Sequence, residues 1–321
     1  MTLPTDAFAP PLRDGVGASR VGVGAGRFAS VLDFLAARFP AVADWPARLA
    51  RGDVLDDQGR LLASDSACAP GMLLWYWRDP PPEPRIPFEI ELLHRDEHLV
   101  VVDKPHFLPV IPGGRHLLET VLVRLRHHLG IATLAPMHRL DRDTAGVLAF
   151  TVQPATRHAY QSLLRDRAVH KVYEAIAPWR ADVALPVVSR HRLQQRPGAA
   201  FMQMQVVPGE PNAETFVELI ARIESSGLAH YRLTPHTGRK HQLRAQMSAL
   251  GLPIVGDRLY PDLLPAPEPA AAPDYTQPLQ LLARELGFTD PITGQRRCFT
   301  SRRHLLLAPT PQQHATHVVP R

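Results

Sequence analysis

The sequence predicts an α+β protein, on three observations. Strand-like and helix-like segments mix without a regular βαβ rhythm. A stretch from Asp79 to Pro87, DPPPEPRIP, has five prolines in nine residues and reads as an extended, stiff spacer. The length of 321 residues fits about two domains at roughly 150 residues each. The expected organisation is a poorly ordered start (1–25), a small α+β accessory module (26–78), the proline-rich linker (79–87), a large domain (88–307) and a tail (308–321).

Within the small module, Val31, Phe34, Leu35 and Phe39 recur at helical spacing, and Leu73–Trp77 reads as a strand. The large domain opens with LVVVDKP, Leu99–Pro105, a buried strand ended by proline. Leu117–Leu129 reads as a helix with Val121, Leu122, Leu125 and Leu129 on one face. Val147–Val152 is a strand; Pro154 then suits a helix start, and Ala155–Arg167 follows as a helix. Val172–Ala177 is another strand, and Arg180–Asn212 reads as irregular strands and loops. Phe216–Ile223 and His230–Thr234 form a strand pair, and Gly238–Leu250 a helix stopped by Gly251. A Pro/Ala-rich insertion spans Pro261–Pro273. Leu279–Leu286 is expected as a late helix, and Thr289–Gly294 as a turn.

Composition narrows the function classes. Hydrophobic residues make 45% and charged residues 21%, which excludes collagen, coiled coil and wholesale disorder. Two cysteines exclude a disulfide framework and a four-cysteine zinc site. No run of 18 apolar residues occurs, and the first residues lack a basic segment followed by an apolar stretch. A cytoplasmic protein with no membrane association and no obligate protein partner is expected. The net charge of +5, from 36 basic and 31 acidic residues, is compatible with a polyanionic partner.

Several motifs fail. GVGAGR, Gly22–Arg27, lacks a preceding strand and the spacing of a dinucleotide loop. No phosphate-cradling G-x-x-x-x-G-K-[ST], no H-E-x-x-H and no G-x-S-x-G occurs. His127 and His128 are helical neighbours and point apart, so no metal is expected there.

Two segments carry chemistry. APMHRLDRDTAGVLAFT, Ala135–Thr151, places His138, Arg139, Asp141, Arg142, Asp143 and Thr144 in a turn directly before a strand. Its bland alternative is a solvated turn with cancelling charges. YRLTPHTGRKHQLRAQMSALGLPIVGD, Tyr231–Asp257, puts Arg239, Lys240 and Arg244 on the first turns of the expected helix, where backbone N–H groups favour an anion. Its bland alternative is a basic, solvated helix. Together the two segments allow a buried Asp–Arg pair that would keep a carboxylate ionised and aimed.

These residues resemble the RluA-type pseudouridine synthases, which isomerise uridine in structured RNA. HRLDRDTAG resembles the family's HRLD-x-x-TSG signature, and HKVYEAIA (His170–Ala177) its K-x-Y-x-A strand. TGRKHQLR with LGLPIVGDRLY, DEHLVVVDKP (Asp96–Pro105) and PNAET (Pro211–Thr215) resemble further blocks, all in family order over about residues 88–307. The resemblance implies a catalytic domain built on a mixed, largely antiparallel sheet flanked by helices. It implies Asp141 as the catalytic carboxylate, Tyr173 against the target base or as general base, and Arg244 as the partner of Asp141. Arg139, Arg142, Arg239, Lys240 and His241 would meet RNA, ribosomal or transfer, and no cofactor would be needed. Departures are Ala145 for the family serine, Gln246 for a histidine, His106 for a small residue and Pro261 for a glycine. The small module loosely resembles an accessory RNA-binding domain, with Arg48, Arg51 and Arg60 facing phosphates; a plain packing module is the alternative. Two other functions stand beside the isomerase: a catalytically inactive RNA-binding protein on the same scaffold, and a metal-dependent hydrolase using His138, Asp141 and Asp143.

Overall fold

The structure, a computed structural model, describes residues 8, 10–78, 83–114, 116–198, 203–265 and 273–309. Most of the proline-rich linker's first half, part of the 261–273 insertion and the chain beyond 309 lie outside them. The chain forms two compact units, one of Met1–Arg85 with Ile111–Ala132, the other of Ile86–Val110 with Thr133–Arg321.

The first unit contains β1 (Ser19–Gly22), α1 (Val31–Arg38), α2 (Trp45–Ala50), β2 (Val54–Asp56), β3 (Leu73–Tyr76) and α3 (Val121–Leu129). The three strands form an antiparallel sheet in the order β1-β3-β2. Residues 10–25, expected to be poorly ordered, thus supply a paired strand, because Val16 and Val23 find buried sites. Ser30 caps α1 by accepting the Asp33 N–H at 3.2 Å. One face of α1 buries Val31, Phe34 and Leu35 against Trp45, Leu49, Val54 and Leu74. Each such side chain stabilises the module by about 1.5–3 kcal/mol. Helix α3 begins at Val121, not at Leu117. The N–H groups of Leu117, Leu118 and Glu119 donate instead to the Glu83 carboxylate, at 2.6, 2.9 and 2.9 Å. Thr120 then caps the helix through the Val123 N–H, and Gly130 ends it at φ 68°.

The second unit contains β4 (Glu91–Arg95), β5 (Leu99–Lys104), β6 (Ala135–Pro136), β7 (Ala145–Thr151), α4 (Arg157–Arg165), β8 (Val169–Pro178), β9 (Val187–Gln195), β10 (Met204–Val207), β11 (Ala213–Ile223), β12 (Leu228–Pro235), α5 (Gln242–Ala249), β13 (Leu281–Thr289) and β14 (Arg296–Thr300). These strands make one 11-stranded mixed sheet with the path β10-β9-β11-β12-β8-β13-β7-β5-β4; β14 pairs with β13 and β6 with β7. All pairings are antiparallel except β13 with β7. The α+β expectation holds. Among the described residues, no helix is long and apolar enough to cross a membrane.

The segment expected as a late helix, Leu279–Leu286, is largely strand β13. Its two edges pair with β8 and β7, and its residues are buried on both faces along most of its length. A continuous apolar run with both faces buried has no period that separates strand from helix. Two cores flank the strands. One packs Leu243 and Met247 of α5 on Val217, Tyr231 and Leu233; the other packs Tyr160 of α4 on Val101, Val147 and Phe288.

The close approach of β7 and β13 depends on Gly146, whose φ is 111°. A Cβ there would overlap the Ala283 carbonyl oxygen and lie 2.7 Å from the Ala283 nitrogen. Gly146→Ala is therefore expected to destabilise the protein by about 3 kcal/mol or more, combining overpacking with left-handed strain. A thermal unfolding midpoint equal to that of the parent would contradict this.

Candidate active site

The acid-rich turn, residues 138–144, joins β6 to β7 and is held from beneath by Lys104, the last residue of β5. Its fully buried Nζ donates to the carbonyls of Pro105, Leu108 and Arg142, at 2.9, 2.8 and 2.9 Å. Burial pulls this amine down to about 7, opposed by the charges of Asp143 and Asp141. Three carbonyls matched to three N–H donors favour the ammonium form. His106 adds a second tie, with Nδ1 2.6 Å from the Asp143 carbonyl oxygen. The Thr144 N–H closes the turn on the Asp141 carbonyl at 3.2 Å.

This turn brings Asp141 to α5, about a hundred residues downstream. Arg244 Nη1 donates to Asp141 Oδ2 at 3.0 Å. The same guanidinium grips Asp257 with both remaining nitrogens, Nε to Oδ2 at 2.7 Å and Nη2 to Oδ1 at 2.6 Å. Asp257 is fully buried and Arg244 is 4% exposed, whereas Asp141 is 28% exposed. One guanidinium therefore serves two carboxylates with different tasks. The buried Asp257 fixes its plane, and the open Asp141 presents a carboxylate to solvent. Burial works against the Arg244 cation, but the two carboxylates outweigh it and raise its affinity for the proton.

Tyr173 projects from β8 in register with Leu233 of β12 and Ala283 of β13. Burial raises its phenol well above the ordinary value, and the charge of Asp141 adds to that. Its hydroxyl is thus protonated at neutral pH. Arg139 and Arg142 are exposed on the turn, and Arg142 Nε pairs with Asp143 at 2.8 Å.

Arg239 and Lys240 are also exposed, but they precede the helix instead of lying on it. Helix α5 begins only at Gln242, after His241 at φ 50°. The Gln242 amide replaces the expected first turn. Its Oε1 accepts from Thr237 Oγ1 at 2.7 Å and from the Arg239 N–H at 3.0 Å, and its Nε2 donates to the Glu214 carbonyl at 3.0 Å. Lys240 and Arg244 therefore do not share a helix face. His241 is buried, its Nε2 3.8 Å from Asp141 Oδ2 and its Nδ1 3.2 Å from the Tyr260 hydroxyl.

Asp257, Tyr260 and Lys104 are the functional neighbours that sequence reasoning passed over. All three stand inside the matched blocks, GDRLY and DKP, but a spacing does not say which polar residue is buried. Gln246, a departure from the family pattern, is buried and knits α5 to the sheet. It accepts from Thr215 Oγ1 at 2.6 Å and donates to the Ser189 and Ala213 carbonyls at 2.9 and 3.2 Å. Of the three residues considered for a hydrolase, His138 uses Nε2 to accept the Ala149 N–H at 3.3 Å. Among the described residues, no three His, Cys, Asp or Glu side chains converge as a metal site. In the first unit, Arg48 pairs with Asp44, Arg51 with Asp53 and Arg60 with Asp56.

Comparison with known proteins adds an independent line. A family model described as RNA pseudouridylate synthase matches residues 98–249. The chain is 33% identical over 233 residues to the dual-specificity RNA pseudouridine synthase RluA of Haemophilus influenzae, covering 70% of this chain and 96% of the relative. It is 34% identical over 224 residues to ribosomal large subunit pseudouridine synthase D of Pseudomonas aeruginosa, covering 65% of this chain and 66% of that one. A solved structure, human RNA pseudouridylate synthase domain containing 1, superposes with a TM-score of 0.54 at 22% identity, over 68% of this chain and 85% of that one. That likeness concerns the fold.

Proposed function

Because the chain belongs to the RNA pseudouridylate synthase family, and to its RluA-type members, we propose that it converts uridine to pseudouridine in structured ribosomal or transfer RNA, with Asp141 as nucleophile. The observation that carries this reading is the Asp141–Arg244–Asp257 arrangement, one half-open carboxylate held by a buried guanidinium. It favours an enzyme over an inactive RNA-binding protein, since binding alone has no use for a carboxylate aimed by a buried guanidinium.

A stacked uridine hides its glycosidic bond, so the nucleotide leaves the stack at a cost of a few kcal/mol. Phosphate contacts from Arg139, Arg142, Arg239 and Lys240 offset that cost. Asp141 attacks the flipped nucleotide, and the bond from N1 of uracil to the sugar breaks. The uracil turns within the pocket, its carbon 5 bonds to the sugar as the bond to the Asp141 carboxylate breaks, and the proton that leaves carbon 5 is balanced by one taken up at N1. Atoms and oxidation state are conserved overall. Tyr173 packs against the base or serves as the general base. The work is assigned to the cytoplasm, where such RNA is met.

The test is to map pseudouridine in total RNA from cells with and without the gene; absence of any lost site sinks the proposal. RNA affinity is also expected to fall about twentyfold or more between about 50 and about 200 mM salt, if roughly three phosphates are contacted. A flat salt series would remove the basic side chains from the binding surface.

A further inference from the structure

We propose that His241 is a positioning residue for the Asp141 carboxylate, locked by Tyr260 into the tautomer whose Nε2–H points at Asp141. This rests on the reading of Asp141 as the nucleophile. The argument is hydrogen-bond accounting. The Tyr260 oxygen accepts the Met204 N–H at 2.6 Å. Burial pushes the Tyr260 phenol up to about 12, so it keeps its proton near neutral pH. That proton needs an acceptor, and His241 Nδ1 stands 3.2 Å away. A neutral imidazole that accepts at Nδ1 carries its own proton on Nε2. Nε2 is the nitrogen that faces Asp141 Oδ2, at 3.8 Å.

Both donors, Arg244 Nη1 and His241 Nε2, therefore address the same oxygen, Oδ2. Oδ1 is left as the attacking atom. The 3.8 Å separation is long for a hydrogen bond and is expected to close with RNA bound, as catalytic contacts do. The charges facing the imidazole are Asp141 from the turn, Arg244 from α5, Lys240 beside it in the chain, and Asp257. Burial dominates over all of them and keeps His241 below its ordinary value, in the neutral form the tautomer requires. The backbone supports a specific role. His241 holds φ 50°, a left-handed conformation that costs a residue other than glycine or asparagine roughly 1–2 kcal/mol. This turn is what aims the ring between Tyr260 and Asp141.

Amide replacements separate the two ring nitrogens. Glutamine places an N–H donor where Nε2 stands, while asparagine reaches only the Nδ1 position but suits the left-handed backbone better. Single-turnover rates are measured on total RNA from cells lacking the gene, with thermal midpoints taken alongside. His241→Asn is expected to fold and to lose about 10²-fold in rate, with half-saturating RNA unchanged within about twofold. His241→Gln is expected to retain the rate within about fivefold. Tyr260→Phe is expected to lose about tenfold alone and nothing further in the His241→Gln background, because the tautomer no longer matters there. A parental rate in His241→Asn, equal failure of Asn and Gln, or a loss confined to RNA affinity overturns the inference. Asp141→Asn run in parallel separates the two claims. If it turns over, the nucleophile reading falls; if it is dead while His241→Asn is fully active, only the positioning role falls.

Discussion

Asp141→Asn is expected to abolish pseudouridine formation, by on the order of 10⁴-fold or more, while leaving the fold and most RNA affinity in place. The amide matches the carboxylate in size and can still accept a hydrogen bond from Arg244. What it loses is the negative charge and the nucleophilic oxygen. Stability is expected to change by only about 1 kcal/mol, because Asp141 is 28% exposed and Arg244 keeps its two bonds to Asp257. On the proposed reading RNA affinity rests on basic side chains outside this pair, and removing a carboxylate near them is not expected to weaken phosphate contacts. The measurement is single-turnover isomerisation beside an RNA-binding titration and a melting curve. Substantial turnover by the variant removes Asp141 from its role; a collapsed melting curve would make it a structural residue instead.

Arg244→Ala is expected to cost both activity and stability. Among the described residues, the guanidinium is the sole cation bonded to Asp257, whose side chain is fully buried. Two backbone N–H groups, from Leu259 and Tyr260, also bond that carboxylate, at 2.8 and 3.2 Å, but they bring no full positive charge. Removing one partner of a buried pair typically costs about 3–5 kcal/mol. Asp141 loses its aiming donor at the same time, so turnover should fall by at least as much as in the His241 variants. Arg244→Lys is expected to rescue stability only in part, since an ammonium cannot present three N–H groups in one plane to two carboxylates. Denaturant unfolding together with turnover checks this. An unchanged melting curve with unchanged turnover would show that neither carboxylate depends on the guanidinium.

Legibility in the sequence tracked how local the determining physics is. The strand Leu99–Lys104 follows from a short β-branched run ended by proline, and the pair formed by β11 and β12 and helix α1 from apolar periodicity, which each segment carries in itself. Helix starts were less legible. Glu83 takes the N–H groups that would begin α3 early, and the Gln242 side chain replaces the first turn of α5. The first contact joins residues 34 apart, and the second is anchored by Glu214 and Thr215, 28 and 27 residues away, so neither is complete within a local window. Strand β13 is decided in the same way, by pairing with β8 and β7 along its two edges.

The amino-acid order by itself determined that this is an α+β protein with an acidic turn ahead of a strand and a basic segment a hundred residues later. Ordered family blocks tied those two segments to one reaction. Only the tertiary structure decided that Arg244 divides itself between Asp141 and the unforeseen Asp257, that Lys104 supports the turn from below, and that Tyr260 faces the His241 ring. Residue types and spacings follow from covalent connectivity. Which charges end up buried together, and which oxygen of a carboxylate stays free, depends on desolvation and direction, and those exist only once distant strands have packed.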